Sequence, residues 1–434
     1  MMKKVFSLLA GVILTAAVSL SAADREHTLK VYNWADYIDE DLLTEFEKWY
    51  EEQTGEPVKV VYQLFDINEV MLAKIELGHE DFDVVCPSEY IIERMLRSDL
   101  LLPIDKDFGD TPDYTANIAP YMREVFNHIE GSGKNANDYS VGYMWGTVGI
   151  LYNTKYVTRE EASHWDILKN PKFAGKLFVK DAFRDVYTSL IVALNKDRIA
   201  AGEVTIDQLC RDSSDESIAL VESFLNDVKG NVSGWEADFG KERMTQEKAW
   251  MNLTWSGDAQ WAIEEAAKVG VELAFVVPEE GSIAWFDGWV IPKYAQNIKA
   301  ARYFINFLCM PENVLRNMDE IGYVSAVGGE GILEAVADST LYAPQSTTYF
   351  FGPDATAVCV NPVQYPSDEI IARCGMMHDS GDRTENLLAM WSRVKGDNAS
   401  VLTYVVIGIA LLALVAAAVM IRKKQNKKRN RKRR

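Results

Sequence analysis

The stretch Val31-Tyr32-Asn33-Trp34-Ala35-Asp36-Tyr37 decides how the chain is organised. Thr28 to Tyr32 alternates and carries β-branched residues, which suits a strand. Directly after it, Leu42, Leu43, Phe46, Trp49 and Tyr50 recur at helical spacing, and Gly55 stops the helix. In open α/β sheets ligands sit beyond the carboxyl ends of strands. Trp34, Asp36 and Tyr37 therefore belong at a mouth rather than in a core.

The same arrangement recurs outward from there. Pro57 opens a strand over Val58 to Tyr62, and Asp66 caps a predicted helix to Leu77, with Glu69 in capping-box position and Gly78 as its stop. Phe82 to Cys86 reads as a short buried strand that runs into Pro87-Ser88-Glu89-Tyr90 before the next helix. A β-α-β-α-β order implies a largely parallel sheet. It also gives Ser88 and Tyr90 the strand-end position of Trp34 and Tyr37. Gly131-Ser132-Gly133-Lys134 lacks the first glycine and the Ser/Thr of a phosphate loop, and reads as a surface turn.

Tyr143 to Asn153 is a strong strand on which the chain crosses to a second lobe. There Lys176 to Val179 leads into Asp181-Ala182-Phe183-Arg184-Asp185 at a helix start, where carboxylates are equally at home as structural partners of the helix dipole. Trp250 to Thr254 leads into Trp255-Ser256-Gly257-Asp258 and a helix over Ala259 to Lys268, and Leu273 to Val277 adds a strand. Ile283 to Gly288, with Trp285 and Asp287, crosses back; Ile298 to Leu308 and Thr384 to Val394 follow as helices. The expected fold class is α/β, with two lobes joined by a hinge of two crossings. Residues 24–146 and 286–340 make lobe 1, and 147–285 and 341–395 make lobe 2.

The two ends read differently from the middle. Residues 1–23 have a basic start, an apolar run and Ser21-Ala22-Ala23 before Asp24, the pattern of a signal peptide. Val401 to Ile421 is 21 residues without a charge, enough at roughly 1.5 Å per residue to span a bilayer core of roughly 30 Å. Residues 422–434 follow, ten of them basic, which sets that side in the cytoplasm and the rest outside. This position against a membrane segment explains the basic tail without nucleic acid. Lys3, Lys4 and the tail hold twelve of the 45 basic residues, so the remainder carries 33 basic against 64 acidic side chains, a net charge of −31. Such a field repels nucleic acid and attracts cations.

Five scattered cysteines form no disulfide framework and no CxxC pattern, although Cys359 and Cys374 are left as a candidate pair. The five histidines lack ligand spacing such as HExxH, and no GxSxG elbow occurs. The chain therefore reads as a non-enzyme without metal or cofactor. Its strand-end set is Trp34, Asp36, Tyr37, Ser88, Tyr90, Asp185, Trp255, Asp258, Trp285 and Asp287, with Asp181 adjoining it and no basic member. Aromatic faces cover methylenes and attract ammonium groups, and carboxylates take those groups through charge-assisted hydrogen bonds.

These motifs resemble the spermidine/putrescine-binding proteins of bacterial ABC importers, a branch of the two-lobed periplasmic binding proteins (type II). The resemblance spans nearly all of residues 28 to 395 and rests on Tyr32-Asn33-Trp34-Ala35-Asp36-Tyr37, Asp83 to Tyr90, Arg184-Asp185-Val186-Tyr187, Trp255-Ser256-Gly257-Asp258, Trp285-Phe286-Asp287 and Ile321-Gly322-Tyr323. It implies that Trp34, Tyr37, Tyr90, Trp255 and Trp285 clamp a carbon chain, and that Ser88 hydrogen-bonds. It also implies that Asp287 is the main carboxylate for one amine, that Asp185 replaces a family glutamate, and that Asp258 matches putrescine-preferring members. The implied partners are a polyamine and an ABC permease. Ala35 and Ala182 depart from the family pattern, with Asp181 one residue away from the missing carboxylate. A late polar ligand has Asp379 and Asp382 as candidates. Putrescine and spermidine both stay open, as do a tethered polyamine sensor and a binder of another small cation or amino acid.

Overall fold

The opening strand forms as Thr28–Trp34 and pairs in parallel with Lys59–Phe65 on one side and Val84–Val85 on the other. The computed structural model describes residues 25–396 apart from 238. Helix Asp41–Thr54 buries Leu42, Phe46 and Tyr50, the spaced apolar positions of the sequence, and ends on Gly55 at φ 72°. That left-handed conformation is free of the Cβ clash other residues would suffer.

The next helix differs from expectation. Strand Lys59–Phe65 keeps its register to the Trp34–Phe65 pair, so Asp66 and Ile67 become connecting loop. Helix Asn68–Glu76 then starts after Ile67 without a side-chain cap. Asp66, predicted as a cap, instead lies on the wall of the cleft described below.

Two long strands organise the rest. Ser140–Asn153 and Ser282–Pro292 are buried along their whole lengths and pair antiparallel. Through Val290, which pairs with Val85, the second extends the parallel strands of the first half. The far end of Ser140–Asn153 pairs instead with Met251–Trp255 and Leu273–Val276, and Leu177–Lys180 and Val232–Glu236 continue the sheet beyond Met251–Trp255. The two crossings expected from sequence are thus one antiparallel pair of strands shared by two groups of strands.

Two expectations change. Helix Thr348–Phe351 packs on the first half: Tyr349 lies against Tyr121 at 4.9 Å between centroids, and Phe350 stacks on Trp145 at 5.5 Å. These apolar contacts keep the chain past 341 with the first half, and only later does Thr384–Lys395 join the second, where Trp391 meets Trp235. Cys359 and Cys374 are both free thiols, and the Cys374 Sγ lies 3.3 Å from the Ile370 carbonyl oxygen. Residues 131–134 do form a surface turn, a hairpin with Ser132 and Gly133 at positive φ. The segments 1–23, 401–421 and 422–434 lie outside the described residues. Among those described, no helix is long and apolar enough to cross a membrane.

Candidate functional site

A cleft of about 370 Å³ lies where the two strand groups meet. All eleven residues predicted for the site line it: Trp34, Asp36, Tyr37, Ser88, Tyr90, Asp181, Asp185, Trp255, Asp258, Trp285 and Asp287. They arrive from strand ends on both sides, as the position rule for α/β sheets requires. Asp36 is held at φ 50°, a left-handed conformation that aspartate tolerates better than most residues.

Asp287 owes its place to a bulge. Phe286 pairs with Trp145 and Gly288 with Gly142, and the register slips between them at Asp287. Bulges re-aim side chains beside functional sites. Here the slip sets the Asp287 backbone in an isolated antiparallel bridge with Ser88, and the carboxylate beside the Ser88 hydroxyl. The Tyr37 hydroxyl donates to Asp287 Oδ2 at 2.8 Å. Ser88 precedes helix Glu89–Arg97 but makes no capping bond; its hydroxyl leans on the Asp287 carboxylate and accepts from Asn68 at 3.0 Å. Asn68 also donates to the Tyr90 hydroxyl at 2.9 Å, so one amide orients two wall residues. Gly146 faces Trp285: a Cβ there would stand 2.8 Å from its ring, so only glycine lets the indole lie across the strand.

Asp287 Oδ1 is buried with no hydrogen-bond partner. Burial pushes the Asp287 carboxyl up to about 7; Ser88 and Tyr37 oppose the shift, and the negative charge of Asp185 adds to it. Asp185 accepts from Trp255 Nε1 at 2.9 Å, and burial lifts it to about 6. These two carboxylates face the cleft, and among the described residues no basic side chain is hydrogen-bonded to either. Buried charge of that kind is costly unless paired, so a cation is the complementary guest.

The other end of the cleft has a different character. Lys180 ends the strand Leu177–Lys180, and its Nζ lies 2.6 Å from Asp258 Oδ2 and 3.5 Å from Glu236 Oε1. It also donates to the Ala237 carbonyl and sits 4.3 Å above the Trp255 ring. Tyr323 donates to Asp258 Oδ1 at 2.8 Å, and Lys241 stands 3.9 Å from the same oxygen. Burial would raise the Asp258 carboxyl, but the two lysines and the tyrosine together hold it below the usual carboxylate range.

The strand-end set named from the sequence had no basic member, and the wall adds four: Lys180, Arg184, Lys241 and Lys395 all line it. Arg184 bonds Glu69 across the cleft at 3.1 Å and lies 4.5 Å over the Tyr90 ring, while Ser380 and Thr384 take its other nitrogens. Asp181 does not supply a spare carboxylate by a one-residue shift. It accepts from Trp391 Nε1 at 2.7 Å and pairs with Lys395 at 2.6 Å, both on helix Thr384–Lys395. Asp379, offered as a late ligand, is bonded to Arg97 instead, and Asp382 is not on the wall; Met377, Leu388, Trp391 and Lys395 are the late residues that reach it. Among the described residues, no cluster of His, Cys, Asp or Glu could hold a metal ion.

Comparison with known proteins agrees with this geometry. The family described as "Bacterial extracellular solute-binding protein" matches residues 43–330, and the chain belongs to it. The chain is 30% identical over 332 residues to the putrescine-binding periplasmic protein PotF of Escherichia coli, an alignment covering 74% of this chain and 83% of that one. It is 28% identical over 344 residues to the spermidine/putrescine-binding periplasmic protein of the same organism, covering 78% and 90%. The solved structure of the spermidine/putrescine ABC transporter substrate-binding protein PotD from Streptococcus pneumoniae superposes with a TM-score of 0.60 at 28% identity. It covers 85% of this chain and 99% of that one.

Proposed function

We propose that this solute-binding protein captures a linear polyamine, putrescine or spermidine, outside the cytoplasm and delivers it to an ABC permease. One observation carries the reading: among the described residues no basic side chain is hydrogen-bonded to Asp287 or Asp185, and both carboxylates are set among the rings of Trp34, Tyr37, Trp255 and Trp285. An ammonium group placed between them gains charge-assisted hydrogen bonds, and the aromatic faces cover its methylenes. The sequence likeness to putrescine- and spermidine-binding relatives supports the same class of ligand.

The two lobes meet at the shared strands Ser140–Asn153 and Ser282–Pro292, which serve as the hinge for closure over the ligand. Residues 24–146 and 286 onward through helix Thr348–Phe351 form one lobe; 147–285 and the stretch ending in Thr384–Lys395 form the other. Residues 1–23 act as the export signal, and the uncharged Val401 to Ile421 anchors the domain to the membrane, with 422–434 on the cytoplasmic side. Anchoring holds the receptor at a high effective concentration near its permease.

Calorimetric titration of the full chain with putrescine and with spermidine tests the ligand class. Saturable binding is expected, weakened at least 100-fold by Asp287→Ala. Absence of heat and of thermal stabilisation with both amines would refute it.

A further inference from the structure

The cleft holds a cation of its own. Lys180 is 1% exposed, and its ammonium sits where a ligand's second ammonium would have to go: on Asp258, over the face of Trp255. Trp255 joins the two ends of the cleft, since its Nε1–H points to Asp185 while its ring face is covered by Lys180. Both oxygens of Asp258 are engaged, Oδ2 by Lys180 and Oδ1 by Tyr323 with Lys241 nearby. Two lysines and two carboxylates, Asp258 and Glu236, make this end neutral as it stands.

We infer that Lys180 is the specificity-determining residue of the cleft. It is a built-in occupant of the second ammonium position, so the preferred ligand is a linear amine with one ammonium and an uncharged polar far end. The chemistry is that of a mono-N-acylated diamine rather than a free diamine. The inference rests on the amine reading of the Asp287–Asp185 end. A second ligand ammonium brought to Asp258 meets a like charge within the same few ångströms, in a buried setting where water screens poorly. An amide end meets no such repulsion, and its carbonyl oxygen is a suitable acceptor for Lys241, which also lines the cleft.

The test is calorimetric titration of the full chain with putrescine and with N-acetylputrescine, in the wild type and in Lys180→Met. The wild type is expected to bind N-acetylputrescine at least tenfold more tightly than putrescine. In Lys180→Met, which returns Asp258 to the ligand, putrescine should gain at least tenfold and the order should reverse. Equal or reversed preference in the wild type overturns the inference, and it decides the matter alone if Lys180→Met fails to fold. An acyl preference that persists unchanged in a folded Lys180→Met also overturns it, because the lysine is then not its cause. If neither amine binds the wild type, the polyamine reading itself fails, an outcome distinct from binding without the predicted rank.

Discussion

Asp287 and Asp258 occupy opposite ends of one cleft and look alike by every local measure but one. They are 5% and 6% exposed, and each accepts a tyrosine hydroxyl at 2.8 Å, from Tyr37 and from Tyr323. Yet burial drives Asp287 up to about 7, while Asp258 lies below the ordinary carboxylate range. The difference is the pair of lysines, Lys180 at 2.6 Å from Asp258 and Lys241 at 3.9 Å, which have no counterpart at Asp287 among the described residues. Burying a carboxylate therefore does not by itself make a cation site; leaving out its counter-charge does.

The comparison is broken most directly by neutralising each carboxylate in turn. Asp258→Asn takes from buried Lys180 its nearest carboxylate and leaves Glu236, at 3.5 Å, as the more distant counter-charge, and should cost about 3 kcal/mol of unfolding free energy. Asp287→Asn removes a charge that lacks a partner and should leave the ligand-free protein as stable or more so, by about 1–3 kcal/mol at pH 8. Denaturant melts of the two variants check this, and equal signs would dissolve the contrast.

A smaller effect comes from protons. Asp287 and Asp185 have folded-state pKa values of about 7 and about 6, above the ordinary carboxylate range. The folded protein therefore binds more protons than the unfolded chain between that range and about 7. Their contribution to ligand-free stability is present at low pH and is lost as pH rises through about 6 to 7. Amine capture favours the ionised carboxylates, so it releases protons, and affinity should strengthen by about tenfold per pH unit between about 6 and 7, more steeply below about 6 where both carboxyls are protonated, before levelling off near pH 8. Titrations in two buffers of different ionisation enthalpy measure the release, which Asp287→Asn should reduce. Smallest of all, Trp255→Phe keeps a ring under Lys180 but deletes the N–H bonded to Asp185, and should weaken amine binding by about three- to tenfold, in line with one lost hydrogen bond. A loss of similar size in unfolding free energy instead would locate the role of Trp255 at the Lys180 end.

Much of this was legible in the sequence because the strands that deliver Trp34, Ser88 and Trp255 are short and punctuated. Alternation up to Tyr32 and the passage from Trp255 into Ser256-Gly257-Asp258 each fix a strand end, the stop at Gly55 fixes the intervening helix, and ligand groups collect at strand ends. The bulge at Asp287 could not be read, since it depends on the register of two strands distant in sequence. Lys180 was hidden for a related reason. It closes the run Leu177–Lys180, buried at every position, and only the parallel pairing of that strand with Met251–Trp255 brings it beside Asp258. Asp181 misled in the opposite way: its carboxylate is claimed by Trp391 and Lys395, from a helix near the other end of the chain.

That last attachment has a mechanical meaning. Helix Thr384–Lys395 is the final described element, and it is fastened to the wall of the cleft at Asp181, immediately after Lys180 and four residues before Asp185. A tension applied to the chain beyond Lys395 loads those two bonds early. The junction between the strand that ends in the cleft's lysine and the helix that carries one of its two waiting carboxylates is thus the point at which an external force would first be felt.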